Sequence, residues 1–233
     1  MNGHWIDIKA HDGGTFGAYV STPPKDTAGG PGIVLIQEIW GVNQHIRDVA
    51  DQYAMDGFLV FAPDVFWRQQ PRVDLGYNEL DNPKALAFMG GLDRPNAVKD
   101  LASSAAVLRA HASGGKIASV GFCLGGALSF MCAVSGSVDA AVCYYGGGIH
   151  TMLDRAPDIK VPVLMHFAEN DGHISMAAVE SVKAAFTGRD EVRIDVYPDV
   201  DHGFNCWGRA MYNQKAAALA RGRSLAFLSQ RIG

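Results

Sequence analysis

Between residues 116 and 134 the chain runs through Lys116-Ile117-Ala118-Ser119-Val120, then Gly121-Phe122-Cys123-Leu124-Gly125-Gly126, then Ala127-Leu128-Ser129-Phe130-Met131-Cys132-Ala133-Val134. The first run reads as a buried strand and the last as a helix. The glycine-rich residues between them form a sharp turn with a thiol at its apex. Glycine on both flanks removes the Cβ atoms that would clash with neighbouring backbone, and this lets the apex residue hold a strained conformation. The turn lifts the sulfur to the end of a sheet and aims a helix N-terminus at it. That positive end favours a thiolate and offers backbone N–H groups to a developing oxyanion. Taken alone, the same residues also describe a strand-to-helix turn around a buried, inert cysteine.

The rest of the chain alternates strand and helix signals. A hairpin is expected from residues 5–8 and 15–21 about the His11-Asp12-Gly13-Gly14 turn. Residues 23–31 read as a solvated loop. Strands follow at 33–36, 58–64, 140–145, 161–167 and 192–197. Helices are expected at 43–54, with Asn43 as its cap, and at 97–111, 176–186 and 212–228. Residues 65–94 are the least regular part, carrying Trp67, Arg68, Arg72, Tyr77 and Asp81. An excursion of this length between regular units is a candidate lid or pocket wall. The alternation predicts an α/β fold: one domain over residues 1–233, with a mainly parallel central sheet and helices on both faces.

Composition narrows the function classes. Apolar residues make up 48% and charged residues 19%, which suits a packed core. The net charge is −4 with no basic run, so nucleic acid is not an expected partner. Cysteines 123, 132, 143 and 206 form no C-x-x-C pair and read as reduced thiols of a cytoplasmic protein. The N-terminal residues lack a signal-peptide pattern, and no apolar run is long enough to span a bilayer. A monomer is expected.

In a parallel sheet, reactive side chains gather at the carboxyl ends of the strands. Glu38, Cys123, Asp171 and His202 all fall there. Singly, Asp171 reads as an Asx turn and His202 as an ordinary loop histidine. Together, Cys123, Asp171 and His202 follow the order nucleophile, acid, histidine. That is the order of the α/β-hydrolases, whose G-x-S-x-G elbow the cysteine turn matches with sulfur in place of oxygen. The chemistry needs all three: an imidazole to take the thiol proton, and a carboxylate to orient the imidazole and stabilise its cation.

Five blocks then resemble the dienelactone hydrolase family: Gln37-Glu38-Ile39-Trp40-Gly41-Val42-Asn43, the cysteine elbow, Tyr144-Tyr145-Gly146, Asn170-Asp171-Gly172-His173 and Asp201-His202-Gly203-Phe204. The resemblance implies a single α/β-hydrolase domain that hydrolyses small esters or lactones without metal or cofactor. It implies that Glu38 contacts the resting thiol, moves when substrate binds, and takes the thiol proton. The oxyanion hole would be the N–H groups of Leu124 and Ile39. Tyr144, Trp40 and Phe204 are candidate substrate-binding residues. The sequence departs from the family in one respect. Members that grip a carboxylate use an arginine four residues past the histidine, where this chain has Cys206, and another before the elbow, where residues 77–88 offer only Lys84. Losing that clamp weakens the expectation of an anionic lactone, and Trp67, Trp207 and Phe204 suit a bulkier, more apolar ester or simply a core. His202, Asp201 and Cys206 offer too few ligands for a structural zinc, so no metal is expected. Two other readings stay open: a non-catalytic scaffold for ligand binding, and a redox sensor at Cys123.

Overall fold

The computed structural model describes residues 3–24, 30–112 and 115–233. Residues 25–29 of the expected early loop, the first two residues of the N-terminal stretch, and residues 113–114 lie outside the described part.

The described strands form a single eight-stranded sheet in the order β1-β2-β4-β3-β5-β6-β7-β8. Strands β1 (His4–Lys9) and β2 (Thr15–Ser21) make the expected antiparallel hairpin, and β2 runs antiparallel to β4 (Leu59–Pro63). From β4 onward every pairing is parallel, through β3 (Gly32–Ile36), β5 (Ile117–Phe122), β6 (Ala140–Tyr144), β7 (Val163–Ala168) and β8 (Val192–Tyr197). Strands β3, β5 and β6 are buried at every residue, the burial expected of strands covered on both faces. One apolar core lies on each face of the sheet, and Cys123 touches both because it sits where the sheet ends.

The helices begin where side chains cap them. Asn43 accepts from the Ile46 N–H at the start of α1 (Gln44–Met55), Asp93 from Asn96 in α3 (Arg94–His111), and Ser175 from Ala178 in α5 (Met176–Ala185). Asn213 does the same for Ala216 in α6 (Gln214–Arg231). The fourth helix, α4 (Leu124–Ser135), leaves the cysteine elbow and ends at Gly136 in the left-handed region.

The excursion is more ordered than its sequence suggests. It contains α2 (Asn82–Gly90), and α3 begins at Arg94 rather than at residue 97. Only Ala85 of α2 is buried, so this helix has no inward apolar stripe from which to read it. Both helices carry proline in the first turn, where its missing N–H costs nothing. Buried acids fasten the rest. Asp100 accepts from Trp67 Nε1 at 2.9 Å and from Arg68 Nε and Nη2 at 3.1 and 3.0 Å. Asp64 accepts from the backbone N–H groups of Phe66 and Arg72. Burial pushes the Asp64 carboxyl up to about 6, against those two donors.

Candidate active site

The elbow forms as the sequence dictates. Cys123 holds φ 55° and ψ −114°, a conformation that non-glycine residues rarely adopt. Its own N–H is tied to the Tyr144 carbonyl oxygen at 3.0 Å. The flanking glycines are sterically required. A Cβ on Gly126 would lie 2.5 Å from the Tyr144 carbonyl oxygen, one on Gly125 2.5 Å from that of Gln37, and one on Gly121 would overlap the Gly125 carbonyl. Strands β3 and β6 therefore press directly on the elbow backbone.

Asp171 stands in the turn after β7 and His202 in the loop after β8. Asp171 Oδ1 accepts from the N–H groups of His173 and Ile174 at 2.8 and 3.0 Å. Those bonds fix the carboxylate and leave Oδ2 to meet His202 Nδ1 at 2.7 Å, with both side chains buried. The imidazole is thus anchored through Nδ1. Its Nε2 is buried without an aligned hydrogen bond, and the Cys123 sulfur lies near enough to act on its charge. Burial disfavours the imidazolium, but the bond to Asp171 and the nearby sulfur outweigh it and hold His202 up at about 10.

Glu38 follows β3 and is 1% exposed. Its Oε2 accepts from the Tyr77 hydroxyl at 2.9 Å, and Arg209 Nη1 lies 3.5 Å from Oε1. Burial pushes the Glu38 carboxyl upward, opposed by Arg209, the Tyr77 hydroxyl, His202 and Cys206. The thiol in contact with Glu38 is that of Cys206. No hydrogen bond joins Glu38 to Cys123 among the described residues, whereas the resemblance implied that pairing at rest. Burial pushes the Cys206 thiol up to about 12. His45, from the first turn of α1, approaches the same spot and is 6% exposed; burial pushes it down to about 4, and its Nδ1 has no partner.

A cleft of about 330 Å³ opens above Cys123. Ile39 and Leu124 line it beside the sulfur, with Trp40, Leu86 and Met89 on one wall and His173, Arg94 and Arg209 among the remainder. That volume is within the usual range of small-molecule sites. Of the three candidate substrate-binding residues only Trp40 faces the cleft. Tyr144 is buried in the core, its hydroxyl 2.7 Å from Ser224 Oγ, because a β6 side chain one residue before the turn points into the sheet face. Phe204 is fully buried against Tyr145 and Tyr197. Sequence reasoning missed Arg94 and could not place Arg209. Arg209 lies three positions past Cys206 and stacks over Trp40 at 4.9 Å, so a cation reaches the cleft although residue 206 is not arginine. Arg94 is brought there by the unforeseen first turn of α3.

The eight-stranded sheet with its hairpin, together with the strained strand–Cys–helix turn and a histidine–carboxylate pair on the next loops, defines an α/β-hydrolase. The chain belongs to the dienelactone hydrolase family, which it matches over residues 16–232, and it is a carboxylic ester hydrolase. It is 35% identical to a carboxymethylenebutenolidase of Pseudomonas putida, over 96% of this chain and 95% of that one. A protein of Azospirillum brasilense, provisionally named a carboxymethylenebutenolidase, is 41% identical over 98% of this chain and 99% of its own. A Klebsiella pneumoniae crystal structure, provisionally described as a dienelactone hydrolase, superposes with a TM-score of 0.86 at 27% identity, covering 98% of each chain. No described helix is long and apolar enough to cross a membrane.

Proposed function

We propose that this chain hydrolyses a small ester or lactone bearing a carboxylate, with Cys123 as nucleophile, His202 as acid and base, Asp171 as the group that orients His202, and Glu38 as an auxiliary carboxylate. The observation that carries the reading is the convergence at one sheet edge of the strained Cys123 and the Asp171–His202 pair. The Cys123 thiol gives its proton to Glu38, the thiolate sulfur attacks the carbonyl carbon, and the oxyanion falls between the N–H groups of Leu124 and Ile39. Collapse of this intermediate expels the alcohol oxygen, which takes a proton from His202 Nε2 and leaves a thioester. His202 then removes a proton from water, the hydroxide adds to the thioester, and the departing thiolate recovers its proton from Glu38 as the carboxylic acid forms.

Arg94 and Arg209 supply cationic groups for the substrate carboxylate, which restores the anionic specificity that Cys206 seemed to remove. The names of the Pseudomonas putida and Azospirillum brasilense relatives support the same class, a butenolide carrying a carboxymethylene group. A carboxylate that binds Arg209 competes with Glu38 for that guanidinium, and this frees Glu38 to turn toward Cys123.

Turnover of p-nitrophenyl acetate tests the chemistry. Cys123→Ala should lose about a thousandfold or more of kcat/KM with unchanged circular dichroism. Cys123→Ser should lose most of it, since the site is arranged around sulfur. Unchanged turnover in Cys123→Ala would remove the reading. Anionic lactones should outperform neutral esters of equal size, and Arg209→Gln should narrow that preference by raising KM.

A further inference from the structure

Around Glu38 is a second chemical cluster, two of whose three members, His45 and Cys206, the proposed hydrolysis does not use. A carboxylate oxygen of Glu38, a ring nitrogen of His45 and the sulfur of Cys206 lie within 4.8 Å of one another, all on buried side chains. They come from three separate elements: the loop after β3, the first turn of α1 and the loop after β8. The ring of His45 is held edge-on by Trp207 at 4.2 Å and faced by Tyr77 at 6.0 Å. His45 is 6% exposed, yet its Nδ1 has no hydrogen-bond partner. A polar atom buried without a partner is costly, so a buried ring carrying one and set beside a thiol and a carboxylate calls for an occupant.

We propose that Glu38, His45 and Cys206 form a binding site for a borderline-soft divalent cation, zinc by its ligand chemistry, which shuts the hydrolase down by holding Glu38. The donor set is one carboxylate oxygen, one imidazole nitrogen and one thiolate sulfur, a mixture that suits zinc and does not suit magnesium or calcium. Donor atoms around tetrahedral zinc sit about 3.5 Å apart. Closing this cluster by about 1 Å is within the reach of side-chain torsions. Three protein donors leave a fourth position for water. Binding breaks the Cys206 S–H bond, and the proton goes to solvent as the sulfur–metal bond forms; no electron is transferred. Glu38 carries a donor on each oxygen, Tyr77 on Oε2 at 2.9 Å and Arg209 on Oε1 at 3.5 Å, and the metal takes the place of the longer Arg209 contact. Arg209, 3.5 Å from Oε1, is the opposing charge, so it weakens the site and sets its affinity below that of a structural zinc.

Cobalt reports on this site independently of the esterase chemistry. The Cys123→Ser protein, which keeps the cluster but not the nucleophile, is titrated with Co²⁺ alone and the thiolate-to-cobalt charge-transfer band is recorded. One cobalt per chain should give the band, and Zn²⁺ should abolish it by displacement. Adding Cys206→Ser should remove the band, and adding His45→Asn should weaken cobalt binding at least about tenfold. Arg209→Gln in the same background should tighten it. No band at saturating cobalt overturns the proposal. So does a band that persists with Cys206 replaced, since Cys132 or Cys143 would then be its source. If the Cys206 variant does not fold, the His45 variant decides: a folded His45→Asn protein that binds cobalt as before also overturns it. Zinc inhibition of the wild-type esterase is read separately. It depends on the proposed function, whereas the cobalt band does not.

Discussion

The elbow at residues 121–126 and the excursion at residues 65–94 face each other across one cleft, and they are held in place largely by different means. Backbone holds the elbow. Its glycines lie against the carbonyls of β3 and β6, and no side-chain bond fixes Cys123. Apart from a backbone bridge at Gly41 and Asp74 and the bond from the Leu75 N–H to the Trp40 carbonyl, side chains hold the excursion: Trp67 and Arg68 on Asp100, the loop N–H groups on Asp64, Asn43 on the Leu75 carbonyl, Tyr77 on Glu38. Backbone contacts tolerate almost no substitution, whereas side-chain clasps can be exchanged for others of similar reach. The proposed nucleophile therefore rides on the part of the cleft that sequence change cannot easily reshape. The cleft walls, Leu86 and Met89 on α2 and Arg94 at the start of α3, ride on the part that it can.

The comparison breaks if the elbow accepts a methyl group. Gly125→Ala places a Cβ among the backbone carbonyls of Ile36 and Gln37, neither of which can rotate away. The expected outcome is loss of about 3 kcal/mol or more, read as insoluble protein or a collapsed melting temperature. A folded, active Gly125→Ala protein would show that strands and helix there have slack.

A similar loss is expected from the histidine proposed to complete the elbow's chemistry, with a pH signature. His202 is held above its ordinary value of 6.5, at about 10. Its contribution to stability is therefore complete below about 6.5 and is lost as pH rises through about 10. His202→Gln leaves Asp171 without its cation and should cost about 3 kcal/mol near pH 6. The gap in melting temperature between the two proteins should shrink steadily toward pH 10. A gap that grows with pH would show that the imidazole is neutral in the folded state.

The excursion should give way more gently. Asp100→Ala frees Arg68, Trp67 and His11 at once. Arg68 is 29% exposed on its side chain and can be rehydrated, so the expected cost is about 2 kcal/mol. The effect on hydrolysis should appear as a raised KM with kcat nearly kept, because α2 and α3 shape the cleft wall and not the nucleophile. An equal fall in kcat would tie the clasp to the chemistry.

This division also explains what could be read from the sequence. Wherever backbone sterics or sheet burial set the structure, the sequence carried it: the hairpin, the fully apolar β3, β5 and β6, the glycine-flanked Cys123, and the order that brings Asp171 and His202 to it. Wherever long side chains fold back across space, sequence separation hid the result. Arg209 reaches Glu38 across 171 positions, which no local pattern records. Tyr144 and Phe204 are substrate-binding candidates by sequence, but strand alternation and the inward turn of the His202 loop direct both into the core. Helix α2 escaped because a helix with one buried residue has no periodic signature. Its Pro83 and the Pro95 of α3 were the available signals, since proline near a capping Asp marks a helix start as readily as a break.

The smallest and sharpest test sits where the two regions touch. Tyr77 belongs to the excursion, and its hydroxyl donates at 2.9 Å to Glu38, which belongs to the proposed catalytic group. Tyr77→Phe keeps the ring that packs edge-on to Trp40 at 4.7 Å and removes only the O–H. The stability cost should be about 1 kcal/mol. The Glu38 carboxyl is already pushed up by burial, and the Tyr77 hydroxyl is one of the groups that hold it down. Without that donor it rises further. If Glu38 must be ionised to take the Cys123 proton, the acid limb of kcat/KM moves to higher pH while the melting temperature barely changes. A purely structural Tyr77 would move the melting temperature and leave the limb in place. A limb that stays put would make the excursion a wall only. A limb that shifts would show that the replaceable half of the cleft also sets the protonation of the half that is not.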